Sequence, residues 1–219
     1  MSVPESDLLW WLGVVHSDCY VYKKDNLIKE LRLKVSKSSI DMLSNWKLIL
    51  DQMTKKDHKI HEETVLDKRN KRKYSSFCVR ESSKTTLMEL IENIPCKDLY
   101  FGNSFIEWIY EKNIGPYLAG TIDADGCIQI RKRYDSNKPE KLLKITDGNS
   151  EKLKFLHLLL SKNGVKSGYI TDYSNYSDLW VYINKDLNEW LKINVAPYIT
   201  IKHKLQNILA SAAQIESNK

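Results

Sequence analysis

The chain has 219 residues, with 34 Lys+Arg against 28 Asp+Glu for a formal net charge of +6, and it is 42% hydrophobic and 28% charged. That length allows one large domain or two small ones, and the composition is that of a soluble globular protein able to bury a core. Six Trp and 12 Tyr exclude a mainly disordered chain, 8 Gly and 5 Pro exclude collagen-like and low-complexity classes, and the small positive excess favours a polyanionic partner.

In chain order, the N-terminal Met1–Asp7 is acidic and lacks the basic flank of a signal peptide. The apolar run Leu8–Val15 is far shorter than the roughly 20 residues needed to cross a bilayer. Strands are predicted at Tyr20–Lys24, Arg32–Ser36, Lys59–Val65 and Tyr74–Arg80, with an amphipathic helix at Ser39–Met53. The run Lys68-Arg69-Asn70-Lys71-Arg72-Lys73 reads as a solvated hairpin tip, and Glu111–Pro116 as a linker. Beyond it a helix is expected at Tyr117–Ala124, strands at Cys127–Arg133 and Lys141–Thr146, and a helix at Ser150–Asn163 closed by Gly164. A hairpin at Ser167–Tyr173 and Leu179–Asn184 follows, then helices at Leu187–Asn194 and Lys202–Ile215. Cys19, Cys78, Cys96 and Cys127 show no CxxC spacing, which predicts free thiols in a reducing compartment and a soluble intracellular protein.

The chain repeats itself. Leu12-Gly13-Val14-Val15-His16-Ser17-Asp18-Cys19 lies over Ala119-Gly120-Thr121-Ile122-Asp123-Ala124-Asp125-Gly126, so Gly13 meets Gly120 and Asp18 meets Asp125. Farther on, Glu30-Leu31-Arg32-Leu33-Lys34-Val35-Ser36 lies over Glu140-Lys141-Leu142-Leu143-Lys144-Ile145-Thr146. The expected organisation is therefore two pseudo-symmetric copies, residues 1–110 and 117–219, joined by 111–116.

The segment Leu118-Ala119-Gly120-Thr121-Ile122-Asp123-Ala124-Asp125-Gly126 resembles the signature of the LAGLIDADG homing endonucleases, departing from it only at Thr121. The first copy, 11–19, is degenerate: Trp11 stands for the first leucine, His16 for the first acid and Cys19 for the terminal glycine. The resemblance implies the single-chain, two-motif form, an α+β protein of two αββαββα halves. In that form the motif helices pack at the centre and two antiparallel four-stranded sheets make a saddle over DNA. It implies an intron-encoded, monomeric, site-specific endonuclease that hydrolyses both strands of a long pseudo-palindromic target and leaves short 3′ overhangs. Mg²⁺ would be its cofactor, with Mn²⁺ or Ca²⁺ able to take the same sites. By this resemblance Asp18 and Asp125 bind the metal, helped by the carbonyls of Ser17 and Ala124, while His16 and Asp123 are structural. Lys37 and Asp147 match a polar position that orients water, and Lys202 a lysine near the start of the last helix. In the first copy Lys97 is the nearest counterpart of Lys202, so two unequal sites are expected.

The residues carry their own argument. Phosphodiester hydrolysis needs an activated water and a pentavalent, highly charged transition state held by cations, and hard oxygen ligands collect such cations. An aspartate ending a helix is disfavoured by the helix dipole, yet one stands at that place in both copies. Period-2 alternation turns Gln129, Arg131 and Arg133 outward, and likewise Tyr20, Tyr22, Lys24, Arg32, Lys34, Ser36, Lys144 and Thr146. These form a candidate DNA-binding face on which Lys and Arg are expected to collect. His58 and His61 read as a solvent-exposed pair, and Trp10, Trp11, Trp46, Trp180 and Trp190 as core. A non-cleaving RNA-splicing maturase that binds intron RNA, or a single-strand nickase, remains the alternative on the same fold.

Overall fold

A computed structural model describes residues 3–25, 27–66, 71–132, 139–165 and 168–210. The chain divides into two compact units, Met1–Lys112 and Asn113–Lys219. The first contains α1 (Glu5–Asp18), β1 (Cys19–Lys24), β2 (Leu27–Ser36), α2 (Ile40–Thr54), β3 (His61–Leu66), β4 (Lys73–Glu81), α3 (Lys84–Asn93) and α4 (Asn103–Ile109). The second contains α5 (Gly115–Asp125), β5 (Gly126–Lys132), β6 (Pro139–Asp147), α6 (Ser150–Lys162), β7 (Gly168–Asp172), β8 (Ser177–Tyr182), α7 (Lys185–Asn194) and α8 (Lys202–Leu209). Each builds one antiparallel four-stranded sheet, in the orders β1-β2-β4-β3 and β5-β6-β8-β7. The α+β fold class and the repeated unit are thus present. One strand begins slightly later than expected, at His61, and Ser167, residues 68–70 of the expected hairpin tip, Arg133 and residues 211–215 lie outside the described residues.

Helices cover one side of each sheet. In the first unit Leu31, Leu33 and Val79 meet Met42, Leu43, Trp46 and Leu50 of α2, all at most 1% exposed. Trp11 of α1 stacks on Trp46 at 5.5 Å between ring centroids. In the second, Leu143, Ile145, Leu179 and Val181 are covered by Leu153, Leu156 and Leu160 of α6. Each such side chain contributes about 1.5–3 kcal/mol through the water it no longer orders. Helix starts follow capping chemistry: the Asn149 side chain accepts from the amides of Glu151 and Lys152, and that of Asn184 from Leu187. Every residue from Leu8 to Val15 in α1, and from Gly115 to Asp123 in α5, is buried. A helix apolar on all sides must be enclosed on all sides, which sets the two motif helices apart from the amphipathic ones. Among the described residues no helix is long and apolar enough to cross a membrane.

One difference between the two copies lies where β6 meets α6. At the end of β6, Asp147 accepts from Lys152 at 2.6 Å, and that lysine is 1% exposed. By the repeat alignment the first copy has Lys37 and buried Met42 at these places, so its solution is apolar. Asp147→Asn is therefore expected to cost about 2 kcal/mol by stranding a buried ammonium, and Lys152→Met in the same chain to recover most of it. Urea unfolding of the two variants checks this.

Candidate functional site

The two motif acids close their helices. Asp18 is the last residue of α1 and is exposed; Asp125 is the last of α5 and is half-buried. Gly126 then turns the chain directly into β5, its amide donating back to the carbonyls of Ile122 and Thr121. A Cβ at Gly126 would lie 2.6 Å from the Ile122 Cα, so this tight exit needs glycine. In the first unit Cys19 follows Asp18 instead, with φ −79° and ψ 136°.

Basic chemistry at the end of α5 comes from Lys204. Its ammonium donates to the carbonyls of Ile122 and Asp123, both at 2.7 Å, and of Ala124 at 3.3 Å. The expected lysine, Lys202, is exposed at the first position of α8. Two residues along a helix is about 200° around its axis, so only one of the pair can face α5. Asp123, 1% exposed, accepts from the Thr200 amide and hydroxyl at 2.9 Å and from the Ile201 amide at 3.2 Å. It anchors the chain entering α8 and takes the structural part.

The first unit solves the same junction differently. His16, third from the end of α1 as Asp123 is of α5, packs edge-on against Phe105 at 4.5 Å and Phe101 at 5.9 Å. Phe105 is the third residue of α4, as Lys204 is of α8. An aromatic contact thus stands where the second unit has a carboxylate and an ammonium. Lys97, the candidate in this half, gives its ammonium to the Glu92 carbonyl at the end of α3. Lys37 is exposed just after β2. Asp147 is committed to Lys152 and to the Asn149 amide at 2.7 Å.

The open sheet faces hold more acid than expected. In the first unit Arg80 meets Glu30 at 2.9 Å, Arg32 lies 3.7 Å from Glu30, and Lys34 meets Glu63 at 2.6 Å. In the second, Arg131 meets Glu140 at 2.6 Å and Lys144 meets Asp178 at 2.9 Å, while Thr146 donates to Asp178 at 2.6 Å. Lys and Arg do gather there, but each of these five cations has a carboxylate neighbour, because strand pairing sets Lys144 beside Trp180 and Thr146 beside Asp178. Aromatic rings add a second layer. Arg32 lies over Tyr20 at 5.1 Å, and Tyr20 stacks on Tyr22 at 6.3 Å. Arg131 and Lys144 lie over Trp180 at 5.6 and 5.0 Å. Trp180, expected in the core, belongs to this face with Tyr169 stacked on it, whereas Trp10, Trp11 and Trp46 are core. Gln129 and Lys24 are exposed and Ser36 bonds to Ser38 at 2.8 Å. Alternation could locate the cations, but not which acid the sheet register would bring beside each.

His58 also departs from expectation. It is 4% exposed, with Nδ1 2.6 Å from Asp51 and Nε2 2.9 Å from Glu81. His61 stands apart from it, exposed in β3. All four cysteines are free thiols.

Among the described residues no group of three or more His, Cys, Asp or Glu could hold a metal ion. The donors at each motif end are one carboxylate and main-chain carbonyls, a set of hard oxygens suited to Mg²⁺, Mn²⁺ or Ca²⁺ rather than to thiophilic metals. The end of α5 already draws a cation, the Lys204 ammonium, onto its carbonyls. The residues present fit a divalent ion.

No protein-family model matches this sequence, and no curated protein sequence does. Solved structures do. The homing endonuclease I-WcaI bound to its DNA recognition sequence aligns with a TM-score of 0.63 and 16% identity, over 94% of this chain and 88% of that one. The LAGLIDADG meganuclease I-AabMI bound to uncleaved DNA gives 0.56 and 14%, over 96% and 92%. I-DmoI in complex with DNA and Ca gives 0.54 and 16%, over 97% of both chains. The fold is that of the LAGLIDADG homing endonucleases.

Proposed function

We propose that this chain is a site-specific, divalent-metal-dependent DNA endonuclease, an intron-encoded homing enzyme that acts as a monomer and cuts both strands of a long pseudo-palindromic target to leave short 3′ overhangs. The observation that carries the reading is an aspartate at the C-terminal end of each motif helix, just past its buried stretch, a place the helix dipole disfavours and folding alone does not call for. Solved neighbours bound to DNA, and I-DmoI with Mn or Ca, support the partner and the cofactor class.

In this reading Asp18 with the Ser17 carbonyl, and Asp125 with the Ala124 carbonyl, hold Mg²⁺, one acid serving each strand. When bound, the ion lowers the pKa of an attacking water, offsets charge on the pentavalent phosphate and supports the leaving oxygen. Lys204 adds a fixed positive charge beside the phosphate cut by the C-terminal half, and Asp123 holds the chain that carries it. Lys37 and Lys202, both exposed, contribute long-range attraction for phosphate. The paired cations and aromatic rings of the two sheet faces read bases and sugars: Arg32, Arg131 and Gln129 by hydrogen bonds to base edges, and Tyr20, Tyr22, Lys24, Lys34, Ser36, Lys144 and Thr146 at the backbone and groove.

Because Phe105 occupies the place of Lys204 in the first half, the two strands are cut at different rates. Lys204→Met is expected to slow one strand about 10²-fold and leave the other near wild type. The test is selection of bound sites from a randomised duplex library, then a strand-resolved time course with Mg²⁺ on a supercoiled plasmid carrying the selected target. Linear product supports the enzyme and persistent nicked circle a nickase. Intact DNA with tight binding of intron RNA supports the maturase reading.

A further inference from the structure

β6 carries a lysine on the helix-covered side of its sheet. Lys141 pairs with Ile130 in the ladder and is 5% exposed, two and four residues from buried Leu143 and Ile145. Its ammonium donates to the Asn188 side-chain oxygen at 2.8 Å, the Ile208 carbonyl at 2.6 Å and the Ala210 carbonyl at 2.9 Å. An ammonium has three N–H groups, and all three are used.

Two of those acceptors sit at the C-terminal end of α8, where carbonyls lack helical partners and the dipole is negative. The last turn of α8 has no basic residue of its own, and eight residues are too few to hold a helix in place by themselves. Its entry is tied to Asp123, and its first turn carries Lys204 to the end of α5. Where Lys204 sits therefore depends on both ends of α8.

The repeat supplies the comparison. Counting from the matching strand starts Cys19 and Gly126, Ile28 opposite Lys23 holds the place that Lys141 holds opposite Ile130. Ile28 is 7% exposed, so the fold accepts a plain apolar residue here. Burial, with Lys192 nearby, pulls the Lys141 ammonium down to about 8, a desolvation cost the first half avoids. A costly group kept where its twin is isoleucine points to a task other than filling the core.

We infer that Lys141 is a positioning residue: its ammonium anchors the C-terminal end of α8 against the sheet and thereby fixes Lys204 at the tip of the second motif helix. Its effect on cleavage rests on the nuclease reading; the anchoring does not. The full chain is compared with Lys141→Leu, which places an apolar side chain where the first half has Ile28, and with Asn188→Ala, which removes one acceptor on α7. Amide hydrogen exchange over 202–209 in the free protein is expected to speed up about tenfold in Lys141→Leu, and less in Asn188→Ala, with the sheet peptides unchanged. On the selected target, kcat for the strand slowed by Lys204→Met is expected to fall roughly 10- to 100-fold, with KM and the other strand unchanged. Unchanged exchange in α8, or equal slowing of both strands, overturns the inference. If wild-type protein cuts no DNA, the nuclease reading falls, and the exchange result alone decides the anchoring.

Discussion

An Asp125→Asn protein is expected to bind its DNA target within about tenfold of wild type and to cut at least ~10³-fold more slowly, the size of effect that follows from losing a group which supports charge only in the transition state. Asparagine keeps the shape of the side chain, so the turn through Gly126 into β5 and the Lys204 contacts with the α5 carbonyls should survive. What disappears is the negative charge that would hold a divalent ion beside the Ala124 carbonyl. Removing it also relieves a carboxylate at the negative end of α5, so folding stability should rise by a few tenths of a kcal/mol. Cleavage down with stability level or up is a combination that a purely structural aspartate would not produce. Gel-shift titration, cleavage kinetics and thermal unfolding of one preparation measure all three.

Glu81→Gln should unfold the N-terminal half more readily than any other single polar change considered, by about 3–5 kcal/mol. Its carboxylate, 2% exposed, takes Lys56 at 2.6 Å, His58 at 2.9 Å, and the amides of Ser82 at 2.7 Å and Ser83 at 2.6 Å. Behind His58, Asp51 accepts from the ring and from the His58 amide, and Lys47 closes the chain on Asp51 at 2.5 Å. Carboxylate oxygens thus lie within hydrogen-bond distance of both ring nitrogens. A neutral glutamine would strand both His58 and Lys56. Burial alone would raise the Glu81 carboxyl, but Lys56, the Ser83 amide and His58 overcome it and hold it below the ordinary glutamate range. The sign follows: the folded value is depressed, so this stabilisation is present above the unfolded pKa of about 4.3 and is lost as pH falls through the folded value. Acid unfolding of wild type should therefore steepen below about pH 4.3, and Glu81→Gln should flatten that limb. Equal acid limbs in the two proteins would remove Glu81 from the account.

These cases show what could be read from residue order. The repeat was legible because Gly13 and Gly120, and Asp18 and Asp125, recur with the same neighbours, and the strands because β-branched and aromatic residues cluster between polar turns. Features fixed by partners far along the chain were not. His58 becomes buried only because Glu81, 23 residues on, closes over it. Lys204 rather than Lys202 reaches α5 because of where α8 begins and how it is rotated, a matter set by Asp123 across 77 residues. The acids on the sheet faces depend on cross-strand register, which period-2 alternation leaves open, and Trp180, between buried Leu179 and Val181, is put on the same face by that alternation, opposite Lys144. The tripod on Lys141 joins β6, α7 and α8, and nothing local marks it.

The most direct measurement is a time course on a supercoiled plasmid carrying the selected target, run with Mg²⁺ and with chelator. The account expects nicked circle first and linear DNA after it in Mg²⁺, with supercoil intact in chelator. Supercoil that persists in Mg²⁺ while the protein binds the same DNA would contradict it.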